Sequence, residues 1–180
     1  IAETLAEPGR DLEGAKRLDL VLWRSVPDGV STPEHVVGTA MLQELAETVR
    51  IATGNGLAVL PRGGGMSYTG GYIPERPESV TIDTCRLDRI VEINAEDMYV
   101  TAECGVTWAQ LDAALEASGL RTPFWGVGSG RYATLGGTLS QNAGNYGTGR
   151  YGPASDSVLG LQTVLADGRF TPGYYVHKSN

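Results

Sequence analysis

Apolar positions along this chain change period several times, and each change marks a new element. Leu42, Leu45, Val49 and Ala52 recur at spacings of three and four, which predicts one buried helix face. Thr32-Pro33-Glu34 offers a cap, a first-turn proline and an early acid, so the helix is expected to start there and to end at Gly54 and Gly56. The run Leu57-Ala58-Val59-Leu60 predicts a strand, as do Val80–Asp83 and Arg89–Ile93. A turn at 94–97 leads into a further alternating strand, Met98–Glu103. Thr107 is expected to cap a second helix in which Trp108, Leu111 and Leu115 share a face, with Gly119 closing it. Trp108 at that spacing reads as a core residue. Val158–Ala166, carrying Leu159, Leu161 and Val164, predicts a buried strand that ends in the turn Asp167-Gly168. Residues 1–35 read as an N-terminal extension with one short apolar stretch, Leu18–Trp23.

Between these elements glycine gathers at two places. Pro61–Gly71 holds five and Gly126–Gly152 nine of the chain's 25 glycines. The first cluster follows the Leu57–Leu60 strand directly, so a strand delivers the chain into a loop that is nearly all backbone. Glycine takes positive φ without a Cβ clash, and successive N–H groups can then turn toward one anion. Two common phosphate motifs fail here. A P-loop needs lysine after its last glycine, and Gly65 is followed by Met66. The dinucleotide fingerprint needs a third glycine where Tyr68 stands and a helix at once, which Gly70, Gly71 and Pro74 forbid. The second cluster, with Ala133–Gly144 at its centre, adds hydroxyls and amides that suit the polar edge of a planar ligand. Either a packed glycine turn or a ligand surface would explain it alone. Two such segments together favour a large ligand touched at several points, such as a dinucleotide.

Composition narrows the partners. The formal charge is −7 over 180 residues, without a basic stripe, which argues against nucleic acid. No apolar run is long enough for a membrane span, and the absence of a signal-peptide pattern favours the cytoplasm. Cys85 and Cys104 are isolated thiols, and His35 and His177 lie far apart, so neither a disulfide nor a zinc site is supported. Asp83, Asp156 and Asp167 read as turn and cap acids, and no general acid or base is identifiable. A small-molecule substrate is expected, and a homo-oligomer is left open.

In this order the segments resemble the FAD-linked oxidases and dehydrogenases of the vanillyl-alcohol oxidase and p-cresol methylhydroxylase type. The resemblance rests on Leu-Pro-Arg-Gly-Gly-Gly-Met-Ser-Tyr-Thr-Gly-Gly (60–71), Val-Thr-Ile-Asp-Thr-Cys-Arg-Leu-Asp-Arg-Ile (80–90) and Glu-Cys-Gly-Val-Thr-Trp (103–108). It continues through Thr-Leu-Gly-Gly-Thr-Leu-Ser-Gln-Asn-Ala-Gly (134–144), Arg-Tyr-Gly (150–152) and Val-Leu-Ala-Asp-Gly (164–168). It implies an α+β fold, a two-lobed FAD-binding domain over 36–180 that is incomplete at its C-terminal end, with the substrate domain absent. FAD is the implied cofactor, lying between the lobes in the family. The implied contacts are Arg62, Gly63, Gly64, Gly65, Met66, Ser67 and Tyr68 at the pyrophosphate, and Thr134, Gly137, Thr138, Ser140, Asn142 and Ala143 toward the flavin. Hydride removal from an alcohol, hydroxy acid or phenol is the implied reaction. Met66 stands where some relatives carry a histidine bonded to FAD, and Gly130-Arg131-Tyr132-Ala133 lacks the cysteine that others use, so neither covalent link is expected. Two other readings remain: a truncated, non-catalytic module on a degenerate FAD fold, and an NADPH-dependent reductase on the same fold. A fragment of this kind is expected to expose apolar surface.

Overall fold

The computed structural model describes residues 35–38, 41–122, 129–144 and 146–171. The Leu18–Trp23 stretch, the expected cap at 32–34, Gly126, Gly128 and His177 lie outside the described residues. The chain divides into two compact α+β units, and each takes up the chain more than once. The first comprises the described residues up to Arg62, then Tyr68–Thr84 and 162–171; the second comprises Gly63–Ser67 and the described part of Cys85–Leu161.

In the first unit, β1 (His35–Gly38), β2 (Ala58–Arg62) and β3 (Ser79–Asp83) form a parallel sheet in the order β1-β3-β2. Every residue of the central strand is buried. The helix α1 (Leu42–Gly54) precedes β2, and its Val49 and Ala52 close a core with Val80 and Ile82. Burying a side chain such as Ile82 is worth roughly 1.5–3 kcal/mol. Helix entry differs from the sequence expectation: α1 begins at Leu42, after an extended Met41 that makes no side-chain cap bond. The residues just after the expected cap instead form β1. His35-Val36-Val37-Gly38 gains a parallel partner in Val80–Asp83, and β-branched valines suit that pairing better than a first helical turn.

The end of the described chain returns to this unit. Thr53 Oγ1 donates to the Ala166 carbonyl at 2.6 Å, and Val164 and Phe170 form an antiparallel bridge around the expected turn at Asp167-Gly168. Gly168 has φ +80, and a Cβ there would lie 2.8 Å from the Ala46 carbonyl oxygen and from Arg50 Cβ. The buried strand expected over 158–166 is not formed. Only Val164 takes part in a bridge, and Leu159 and Leu161 are 54% and 49% exposed. Their alternation asks for a sheet, but no strand among the described residues pairs with them.

In the second unit, β4 (Ile90–Asn94) and β5 (Tyr99–Ala102) form an antiparallel hairpin whose turn contains Met98 at φ 59. Helix α2 (Trp108–Glu116) starts with a capping box. Thr107 Oγ1 accepts from the Gln110 amide, and Gln110 Oε1 accepts from the Thr107 amide. Gly119, at φ +68, ends the turn after it. Val106, Trp108, Leu111, Leu115 and Ala133 form the core, flanked by Ile90, Ile93, Val100 and Leu135. Two short helices, α3 (Leu135–Ser140) and α4 (Thr148–Tyr151), and a 3-10 turn at Ala154–Ser157 complete the described part.

Candidate functional site

β2 delivers the chain into the glycine loop as the sequence predicts, and no helix follows among residues 63–78. Gly65 has φ +70, inside the run of loop amides. Among the described residues, none offers a hydrogen-bond acceptor to the amides of Gly63, Gly64, Gly65 and Met66. Gly63–Gly65 are half-buried. Backbone donors left without a partner in the chain at half-buried and exposed positions are open to water or to a ligand's acceptors. A left-handed residue in a row of open amides is the arrangement that lets them gather round an anion.

The second glycine segment uses its donors internally. Thr134 is buried and caps α3, its Oγ1 accepting from the Gly137 amide at 3.3 Å. The amide of Gly136 donates to the Cys104 carbonyl at 2.8 Å, that of Thr138 to Thr134 at 3.0 Å, and that of Ala143 to Thr138 at 3.0 Å. Thr138 is buried; its hydroxyl donates to the Thr134 carbonyl and accepts from the Trp108 indole N–H at 2.8 Å. Ser140 and Asn142 are exposed, and Asn142 sits at φ 46 with its side-chain oxygen accepting from the Ser155 amide.

The two segments touch inside the second unit. A Cβ on Gly63 would overlap Thr134 Oγ1, and one on Gly64 would overlap the Tyr132 carbonyl oxygen. The leading glycines therefore do more than free the backbone: they let the loop seat against 132–134. Gly136 is constrained less tightly, since a Cβ there would lie 2.7 Å from Cys104 Cβ. Next to Cys104 in the chain, the buried Glu103 carboxylate accepts from the Arg89 amide, Nε and Nη2 at 2.9, 3.0 and 2.6 Å. The side-chain bond from Arg89 holds that carboxyl below the usual carboxylate range against the opposing effect of burial.

Arg62 and Tyr68 group with the first unit, unlike the loop residues between them. Tyr68 is 98% exposed, and Met66 is exposed as well. Arg62 Nη1 donates to Asp83 Oδ2 at 2.5 Å, and its guanidinium lies 5.9 Å from the Tyr72 ring centre. The pairing of Asp83 with Arg62, the seat of Gly64 on the Tyr132 carbonyl, and the contacts of Cys104 and Trp108 with the second segment are what sequence reasoning did not anticipate. Asp83 was readable only from the register of β2 against β3, which pairs Arg62 with Asp83. No helix among the described residues is long and apolar enough to cross a membrane.

The FAD binding domain family matches residues 33–171. The chain belongs to this family. Its relatives are FAD-linked oxidoreductases, and FAD is the family's cofactor. The chain is 34% identical over 153 residues to the D-2-hydroxyglutarate dehydrogenase of Pantoea ananatis, covering 83% of this chain and 14% of that protein. To the glycolate oxidase subunit GlcD of Bacillus subtilis it is 29% identical over 144 residues, covering 80% of this chain and 30% of that one. The chain thus spans less than a third of either relative. The p-cresol methylhydroxylase crystal structure with substrate bound matches at a TM-score of 0.67 and 20% identity, covering 76% of this chain and 26% of that one. That likeness carries the fold, and it agrees with the PCMH-type α+β expectation.

Proposed function

We propose that this chain forms the leading part of the cofactor domain of an FAD-dependent oxidoreductase acting on a 2-hydroxy acid. One observation carries the reading: the open amides of Gly63, Gly64, Gly65 and Met66. A pyrophosphate supplies the acceptors they lack, in an otherwise acidic chain whose site must rely on local donors. These residues and Ser67 would hold the pyrophosphate of FAD. Thr134, Gly137, Thr138, Ser140, Asn142 and Ala143 would line the cofactor further along, with Arg62 and Tyr68 at the loop's two ends. Bound there, FAD supplies two-electron oxidation, which the chain's own residues do not. The protein's share is to hold the cofactor by backbone donors and to keep the loop seated on 132–134. D-2-hydroxyglutarate dehydrogenase and glycolate oxidase act on 2-hydroxy acids by their names, which supports that substrate class. Domain limits of 1–35 for the extension and 36–180 for the cofactor domain belong to this reading.

The test is a flavin spectrum of the purified protein, followed by anaerobic bleaching with D-2-hydroxyglutarate, glycolate or D-lactate. Bleaching by one of them supports the proposal; a folded protein that takes up no FAD refutes it. A second reading, a non-catalytic module on the same fold, is favoured by the exposed Leu159 and Leu161, which no strand among the described residues pairs with. It predicts FAD uptake without bleaching by any hydroxy acid, and no reduction by NADPH separates it from a reductase.

A further inference from the structure

We infer that Asp83 is the positioning residue for the glycine loop, and that Arg62 anchors the loop through Asp83 instead of contacting the cofactor. The inference rests on the FAD reading but assigns a different role to Arg62. Arg62 is the last residue of β2 and Asp83 the last of β3, and the parallel register sets them side by side. Only 7% of the Asp83 side chain is exposed, against 26% for Arg62. The ion pair at 2.5 Å is joined by a second hold on the main chain: the Arg62 carbonyl accepts from the Thr84 amide at 2.9 Å and from Thr84 Oγ1 at 3.2 Å. Arg62 is thus gripped at side chain and backbone in the position just before the first open amide, Gly63. A glycine-rich loop loses much conformational entropy when it orders, and fixing its departure removes part of that cost before a ligand arrives. A buried carboxylate aimed at the guanidinium also opposes its use as a phosphate ligand, because the positive charge is already met.

The two roles predict opposite signs. If Arg62 touched the pyrophosphate, removing the Asp83 charge would release the guanidinium and leave FAD affinity unchanged or improved. If Asp83 positions the loop, Asp83→Asn weakens FAD binding although it removes a negative charge from the protein. FAD is titrated into the full chain as wild type, Asp83→Asn, Arg62→Gln and the double variant, with flavin fluorescence as the signal. The expected result is a loss of about tenfold or more in each single variant, in line with a preorganisation effect. The double variant, which keeps a neutral hydrogen-bonded pair, recovers most of it. Unchanged or tighter binding in Asp83→Asn, or a double variant as weak as Arg62→Gln, overturns the inference. Should Asp83→Asn fail to fold, Arg62→Gln against the double variant carries the same comparison.

Failure of the wild type to bind FAD would refute the functional reading and not this one. The cofactor-free protein then decides it, through 15N order parameters at Gly63–Met66. Values near the rigid-backbone level of about 0.85 in wild type, falling toward about 0.6 in Asp83→Asn, support positioning. Equal values in the two proteins overturn it.

Discussion

The glycine loop at 63–67 and the segment at 134–144 have similar compositions and opposite uses of the backbone. In the loop, four successive amides donate to nothing among the described residues. In the segment, the amides of Gly136, Gly137, Thr138 and Ala143 are all taken by Cys104, Thr134 or Thr138. Glycine serves access in one and close packing in the other, and at Gly63 and Gly64 it serves both. A glycine count therefore does not identify a ligand surface. What distinguishes the two is whether the donors are already spent.

The comparison can be broken most severely at Gly64. Gly64→Ala would drive a Cβ into the Tyr132 carbonyl, a backbone atom that cannot step aside. We expect a loss of about 3 kcal/mol in denaturant unfolding, at the upper end for overpacking, together with loss of FAD retention. Gly136→Ala meets Cys104 Cβ at 2.7 Å and its carbonyl oxygen at 3.0 Å, a smaller overlap than at Gly64, and should cost about 2 kcal/mol. If Gly136→Ala keeps FAD affinity while Gly64→Ala abolishes it, the division between packing and access stands. Thr138→Val removes the acceptor of the buried Trp108 indole and should cost about 1–2 kcal/mol, visible as a lower melting temperature.

Acid should reach the support of the second segment through Glu103. Its native pKa lies below the ordinary value, so its contribution is fully present above the ordinary carboxylate range, about 4 to 4.5. That contribution is lost as pH falls through the lower native value. Melting curves of wild type and Glu103→Gln should therefore differ at neutral pH and converge in acid. The gap should be small and salt-sensitive, since Arg89 is largely exposed. The smallest effect is expected at Gly149, where a Cβ meets nothing within 4 Å. Gly149→Ala should be neutral or stabilising by up to about 1 kcal/mol. A large destabilisation there would mean that glycine packing extends well beyond 136.

Much of this was legible in the chain because it is local. The Thr107 cap, the face of Trp108, Leu111 and Leu115, and the strand feeding the glycine loop all depend on neighbours within a few residues. The misses depend on distant partners. β1 forms because Val80–Asp83 offers it an edge, and no local signal at His35–Gly38 announces that edge. Leu159 and Leu161 carry the pattern of a buried strand, but a pattern records what a segment could bury and not what is available to cover it. The same holds at the candidate site. Clustered glycines are visible in one dimension, whereas the Arg62–Asp83 pair exists only once two strands are in register.

The return of residues 162–171 to the first unit carries a consequence for synthesis. Thr53 reaches its carbonyl partner across 113 positions, and Gly168 packs so close to Ala46 and Arg50 that a Cβ would overlap both. A nascent chain emerging from the ribosome therefore has the sheet β1-β3-β2 and α1 in hand long before it has the segment that completes them. The second unit is translated almost entirely within that interval. Among the described residues the first unit is opened before the second and closed after it, so its half-built surface depends for tens of residues on whatever shields it during translation.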